Sequence, residues 1–84
     1  MSKESLSRDE ILSNFGDRLR AERKSKGLSQ EELAYKAELD RSYVGGVERG
    51  ERNLTLVNIV ALADALEIRP ALLLESVGGQ RSKD

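Results

Sequence analysis

Residues 39 to 53, LDRSYVGGVERGERN, gather the side chains of this chain best able to recognise another molecule. Arg41, Arg49 and Arg52 carry planar guanidinium forks, which bind a carboxylate, a phosphate or the O6 and N7 edge of guanine through two parallel hydrogen bonds. Ser42 and Asn53 add short polar groups, and Tyr43 adds an aromatic face with a hydroxyl at its tip. What the chain lacks narrows the chemistry further. Histidine and cysteine are both absent, which removes the commonest general base near neutral pH and the commonest zinc ligands. Acidic residues occur at helix starts, where the helix dipole accounts for them without catalysis. A binding protein is expected, not an enzyme, with no metal and no cofactor.

An 84-residue chain buries only about 60–65% of its unfolded surface and supports one core. Its formal net charge is −1, yet the charges are segregated. Residues 16 to 26 hold Arg18, Arg20, Arg23, Lys24 and Lys26 against Asp17 and Glu22. Residues 27 to 40 hold Glu31, Glu32, Glu38 and Asp40 against Lys36 alone. Local sign decides what each face attracts. No apolar run reaches the roughly 18 residues that span a bilayer, and the start MSKESLSRDE lacks the apolar stretch of a signal peptide. A cytoplasmic protein with no membrane contact and no small-molecule ligand is the expectation.

The elements that must position the arginines read as helices throughout. Ser7 and Glu10 have capping-box spacing, and Ile11, Leu12, Phe15 and Leu19 recur near a 3.6 period, which predicts a first helix over about residues 8 to 25 that Gly27 stops. Ser29 and Glu32 repeat the box and open a second helix, about 30 to 36, with Leu33, Ala34 and Ala37 inward. Asp40 is the cap candidate for a third, about 41 to 48, that ends at Gly50. Thr55 caps a fourth, about 56 to 66, with Ile59, Leu62, Ala63 and Leu66 as its stripe, and Pro70 starts a fifth, about 70 to 76. The expected class is all-α, a single domain over residues 1 to 76, with a frayed tail from 77 to 84.

Helices two and three are separated by so few residues that they pack at a steep angle, as in a helix-turn-helix unit. Val44 and Val47 give helix three a buried side, while Arg41, Ser42, Gly45 and Arg49 fall on others. At this point the chain resembles a known family. RLRAERKSKGLSQEELAYKAELDRSYVGGVERGERNLTLVNIVALADAL is similar to the five-helix DNA-binding domain of the phage lambda and 434 repressors and their bacterial relatives, the Xre family. Within it, LDRSYVGGVERGERN resembles the recognition helix and following loop of the controller proteins of restriction–modification systems.

The resemblance implies a homodimeric transcriptional regulator that binds palindromic operators in double-stranded DNA, with the helix-turn-helix over about residues 30 to 48. It implies that Gln30 touches a phosphate, that Arg41, Ser42 and Tyr43 reach into the major groove, and that Arg49, Arg52 and Asn53 contact the backbone. Arg23 and Glu48 match a partly buried ion pair between helices one and three. Gly45 and Gly46 depart from the family, where a side chain able to read DNA is usual; either they let the backbone approach DNA, or reading rests on the three residues before them. Leu72, Leu73 and Leu74 are too many for one short helix to bury, so a dimer through the fourth and fifth helices is expected, with Leu72 and Leu73 at the contact. The alternative function is the antitoxin of a toxin–antitoxin pair, which uses the same domain.

Overall fold

Two capping boxes start the first two helices. The Ser7 hydroxyl accepts from the Glu10 amide at 3.1 Å while the Glu10 carboxylate accepts from the Ser7 amide at 2.8 Å. Ser29 and Glu32 repeat the exchange at 3.0 and 2.8 Å. Each box satisfies two amides that a helix start otherwise leaves without a partner. In the computed structural model, which describes residues 6–78, the chain is all-α: among the described residues the elements are α1 (Arg8–Ser25), α2 (Gln30–Ala37), α3 (Arg41–Glu48), α4 (Leu56–Leu66) and α5 (Pro70–Leu74). The Thr55 hydroxyl caps α4 through the Asn58 amide at 3.1 Å. Asp40 holds the cap position of α3 but its side chain makes no cap hydrogen bond. Helix α3 starts instead on the Asp40 carbonyl, which accepts from Val44 at 3.1 Å.

Helix ends are set by left-handed residues. Gly50 closes α3 at φ +77°, with the Glu51 amide donating to the Gly46 carbonyl at 2.9 Å. Helices α2 and α4 end on Glu38 and Glu67, both at φ +60°, a conformation a β-carbon makes costly. Their successors Leu39 and Ile68 close the motif by donating to Ala34 and Ala63 at 2.9 and 3.0 Å, and both pack on the core. The left-handed turn at Glu38 thus aims α3 across α2 with only residues 38 to 40 between them.

Helix α1 packs against α3 and α5, α2 against α3 and α4, and α4 against α5. Leu19, Leu33, Val44, Leu62, Ala63 and Leu73 reach zero exposure at the centre, with Phe15, Ala34, Val47 and Leu66 around them. Ile59 is only partly buried against this core. Two expectations need correction here. Leu73 is part of the core and presents nothing to a partner; Leu72 is half-buried, and of the three leucines Leu74 is the exposed one. Helix α5 also stops at Leu74, because the chain turns back there. Val77 donates to the Leu74 carbonyl at 3.3 Å, Asn14 holds the Ser76 carbonyl at 3.2 Å, and Val77 packs on the core. The ordered domain therefore includes residue 77, and the rest of the expected tail from residue 79 lies outside the described residues.

Sequence periodicity gave no hint of Gly16. A β-carbon there would sit 2.5 Å from the carbonyl oxygens of both Val47 and Glu48. Only a residue without a side chain lets α1 approach the end of α3 this closely. Gly16→Ala is expected to destabilise the fold by about 1–3 kcal/mol or more through overpacking against rigid backbone. Gly27→Ala meets nothing within 4 Å and carries only its φ of +73°, so its loss should be nearer 1 kcal/mol. Urea melts of the two variants check this, and equal midpoints would show that the α1–α3 contact has room to spare.

Candidate nucleic-acid interface

Glu48 closes α3 and is buried, with no side-chain exposure. A carboxylate in that position requires partners, and the fold supplies four donors from three side chains. Arg23 donates through Nε at 2.6 Å and Nη2 at 3.0 Å, Gln30 through Nε2 at 3.0 Å and Arg20 through Nε at 3.4 Å. Burial pushes the Glu48 carboxyl up, but the hydrogen bonds from Arg23, Gln30 and Arg20 and the charge of Arg23 outweigh it and hold the group below the ordinary glutamate value. The hydrogen bond to Glu48 likewise raises Arg23 against the effect of its own burial. Arg23 also donates Nη1 to the Leu28 carbonyl at 2.8 Å, so it clamps the α1–α2 connection. The ion pair inferred from the family resemblance is present and is larger than a pair: it ties α1, α2 and α3 together.

Gln30 is half-buried and its amide is spent on Glu48. That leaves its side chain turned inward, and an anion at the start of α2 would meet backbone amides first. Arg41, Ser42 and Asn53 are exposed. Arg49 is exposed too but pairs with Glu51 at 3.2 Å, so it must exchange that carboxylate for any phosphate it takes. Both members of this pair are more than half exposed, and the exchange is cheap.

Tyr43 is held on two sides. Its hydroxyl accepts from Asn58 Nδ2 of α4 at 3.1 Å. The Arg52 guanidinium lies 5.1 Å from its ring centroid, a cation–π contact worth about 0.5–1 kcal/mol at an exposed site. Gly45 and Gly46 lie beneath arginine side chains and are buried. A β-carbon on Gly45 would stand 3.1 Å from Arg49 Nη1, and one on Gly46 would stand 2.7 Å from Arg52 Cγ. The glycines therefore make room for this chain's own arginines.

Asn58 was not among the sequence candidates. Its one signal is a polar residue interrupting the apolar run LVNIVALADAL. Glu51 and Arg20 were likewise missed, because nothing local distinguishes them from solvated surface charges. Among the described residues no group of histidine, cysteine or carboxylate side chains could hold a metal ion, and no helix is long and apolar enough to cross a membrane.

A short helix whose inner face is anchored by a buried ion network, set three residues after another helix and bearing exposed arginine and serine at its start, defines a helix-turn-helix DNA-binding domain. A family model described as helix-turn-helix matches residues 19–73. The control protein C.BamHI of Bacillus amyloliquefaciens is 44% identical over 62 residues, covering 73% of this chain and 76% of its own length. The control protein C.SmaI of Serratia marcescens is 41% identical over 69 residues, 82% of each. Among solved structures, the restriction–modification controller protein C.AhdI of Aeromonas hydrophila is 64% identical, with a TM-score of 0.73 over 74% of this chain and 94% of the other. The controller protein C.Esp1396I, solved as a tetramer on its natural 35 base-pair operator, is 37% identical with a TM-score of 0.72, over 80% of this chain and 88% of that one. The chain belongs to the restriction–modification controller proteins, a branch of the helix-turn-helix DNA-binding transcription regulators.

Removing Glu48 leaves Arg23 buried and unpaired. Glu48→Ala is expected to lower stability by about 3–5 kcal/mol, and Glu48→Gln by less, since an amide oxygen still accepts from Arg23. The folded carboxyl titrates below its unfolded value of about 4.3. Its contribution is therefore complete above that pH and is lost as the pH falls toward the folded value. Wild-type protein should lose stability on acidification more steeply than Glu48→Gln. Melts of the three proteins at neutral pH and in steps downward from pH 5 check both points, and parallel pH curves would remove Glu48 from the acid response.

Proposed function

We propose that this chain is a dimeric, sequence-specific controller that binds a near-palindromic operator in double-stranded DNA and regulates the adjoining promoter, acting in the cytoplasm by binding and not by catalysis. The observation that carries the reading is the start of α3, where Arg41 and Ser42 stand exposed on a helix fixed from behind by Glu48. Arg41 is the base-reading residue, its fork suited to guanine O6 and N7. Ser42 and Tyr43 extend the reading edge. Arg49, Arg52 and Asn53 serve the backbone beside it, and the main-chain amides at the start of α2, that of Gln30 among them, take a phosphate. Relatives named as control proteins favour this reading over the antitoxin alternative.

For the dimer, the outer face of α4 replaces the expected Leu72 and Leu73. Leu56 and Val57 are 72% and 75% exposed and Val60 39%, an apolar strip on one helix that a second copy can cover. A two-fold pair of this kind sets its recognition helices about 34 Å apart, one turn of B-DNA. The relative solved as a tetramer on its operator supports two such dimers binding side by side. Control then follows protein concentration, with no inducer or cofactor in the scheme.

Two measurements test the reading. Titration of duplexes at several salt concentrations should show Arg41→Ala losing about 1–3 kcal/mol on the operator and little on scrambled DNA. Arg49→Ala should weaken both and reduce the salt slope by about one. Equal losses on both duplexes for Arg41→Ala would move base reading away from that residue. In sedimentation at micromolar concentration, Val57→Glu should weaken the dimer at least tenfold without loss of helix content. A wild-type monomer that persists on operator DNA would end the dimer proposal.

A further inference from the structure

We infer that Gly46 and Asn58 are positioning residues for base reading, which together fix Tyr43 and Arg52 as one preformed unit on the edge of α3. The inference rests on the operator-binding reading above. Glycine inside an eight-residue helix weakens it, and the φ of Gly46 does not require it, since only Gly27 and Gly50 among the described glycines have positive φ. Nor is the position open. A β-carbon at 46 would lie 2.7 Å from Arg52 Cγ and 3.4 Å from Cδ, so the stem of Arg52 occupies the volume that a side chain of α3 would fill.

That path carries the Arg52 guanidinium to 5.1 Å from the centre of the Tyr43 ring. On its other side the ring is tethered by its hydroxyl to Asn58 of α4 at 3.1 Å. Any side chain at 46 must lift Arg52 from its stem outward, because the clash falls near the backbone and not at the flexible tip. The helix thus gives up one of its own side chains and takes in its place an arginine from the following loop, stacked and oriented. A stacked guanidinium loses less freedom when it meets DNA. An aromatic ring held at both edge and face is likewise confined to a single approach to the groove. Neither Gly46 nor Asn58 has to touch DNA for this to set specificity.

The experiment compares wild type with Gly46→Ala, Asn58→Ala and Arg52→Met, the last keeping an apolar stem but no cation. A random duplex library is first enriched with wild-type protein, and each variant is titrated against the enriched duplex and a scrambled one. In parallel, NMR reads the Arg52 side-chain protons, which the Tyr43 ring shifts upfield when the stack is formed. For Gly46→Ala the expected result is loss of that upfield shift, a fall of about tenfold in the ratio of enriched to scrambled affinity, and a melting temperature that holds or rises, since alanine is the better helix former. Asn58→Ala should lower the ratio with the Arg52 shift reduced. Arg52→Met also removes a backbone cation, so it should weaken both duplexes, but the enriched one more; the ratio then falls with the fold intact, which covers the case in which Gly46→Ala does not fold. An unchanged Arg52 shift in Gly46→Ala, or equal losses on the two duplexes in all three variants, overturns the inference while leaving operator binding standing. A wild-type protein that enriches no sequence overturns the operator reading, and this inference with it.

Discussion

The buried carboxylate of Glu48 is the constraint on which the rest of the molecule depends. A charge taken out of water must find donors or the chain will not fold around it. Here those donors come from Arg20 and Arg23 on α1 and Gln30 on α2. Three helices of at most 18 residues, two of them too short to persist alone, are thereby held in one arrangement. An apolar core gives cohesion without direction, since leucines pack acceptably in more than one register. The ion network has direction, because a guanidinium fork meets a carboxylate well in only a few geometries. Exchanging a buried ion pair for apolar side chains is often neutral for stability, but the geometry of this one leaves α3 one way to stand on the domain.

Close approach is the second requirement of that geometry. Arg23 reaches Glu48 at 2.6 Å only because Gly16 lets α1 lie against the backbone at the end of α3. Gly50 repeats the device one turn later, where a β-carbon would come within 3.1 Å of the Ser13 backbone. Polar partners and bare backbone thus cooperate across one helix pair. Anchoring through Glu48 at its end leaves Arg41 and Ser42 exposed at the start of α3.

Helix boundaries were legible in the sequence because their causes are local. Ser7 with Glu10, Ser29 with Glu32, Thr55 and Pro70 each act within one turn of themselves, and all four starts fall where those residues place them. Glu38 and Glu67 carry no such signal. Glutamate is a poor choice for a left-handed cap, and only the docking of Leu39 and Ile68 on the core explains why it is accepted there. Leu73 was misassigned for a related reason. Counting leucines on a five-residue helix says nothing of how deep the groove beneath it is. The Arg23–Glu48 pair was legible through family resemblance, but the role of Gly45 and Gly46 was not, because the atoms that cover them belong to Gln30, Arg49 and Arg52, brought together by the fold.

A controller with a net charge of −1 meets a polyanion without long-range attraction in its favour. At physiological salt, charges are screened beyond about 8 Å, so the total matters less than the cations at the contact. Part of that cationic charge is already committed: Arg23 and Arg20 to Glu48, Arg49 to Glu51 and Arg18 to Glu22 and Glu75. Arg41 and Arg52 carry no such ion pair among the described residues. Non-specific affinity scales with phosphates neutralised, and on the operator-binding reading proposed above few uncommitted arginines would add to it. On the same reading, specific affinity would depend on a few well-oriented groups and on doubling them by symmetry. For a regulator that acts through its own concentration this is a favourable balance. On that reading the excess of non-operator DNA would withdraw little of the protein, and occupancy of the operator would follow the amount made.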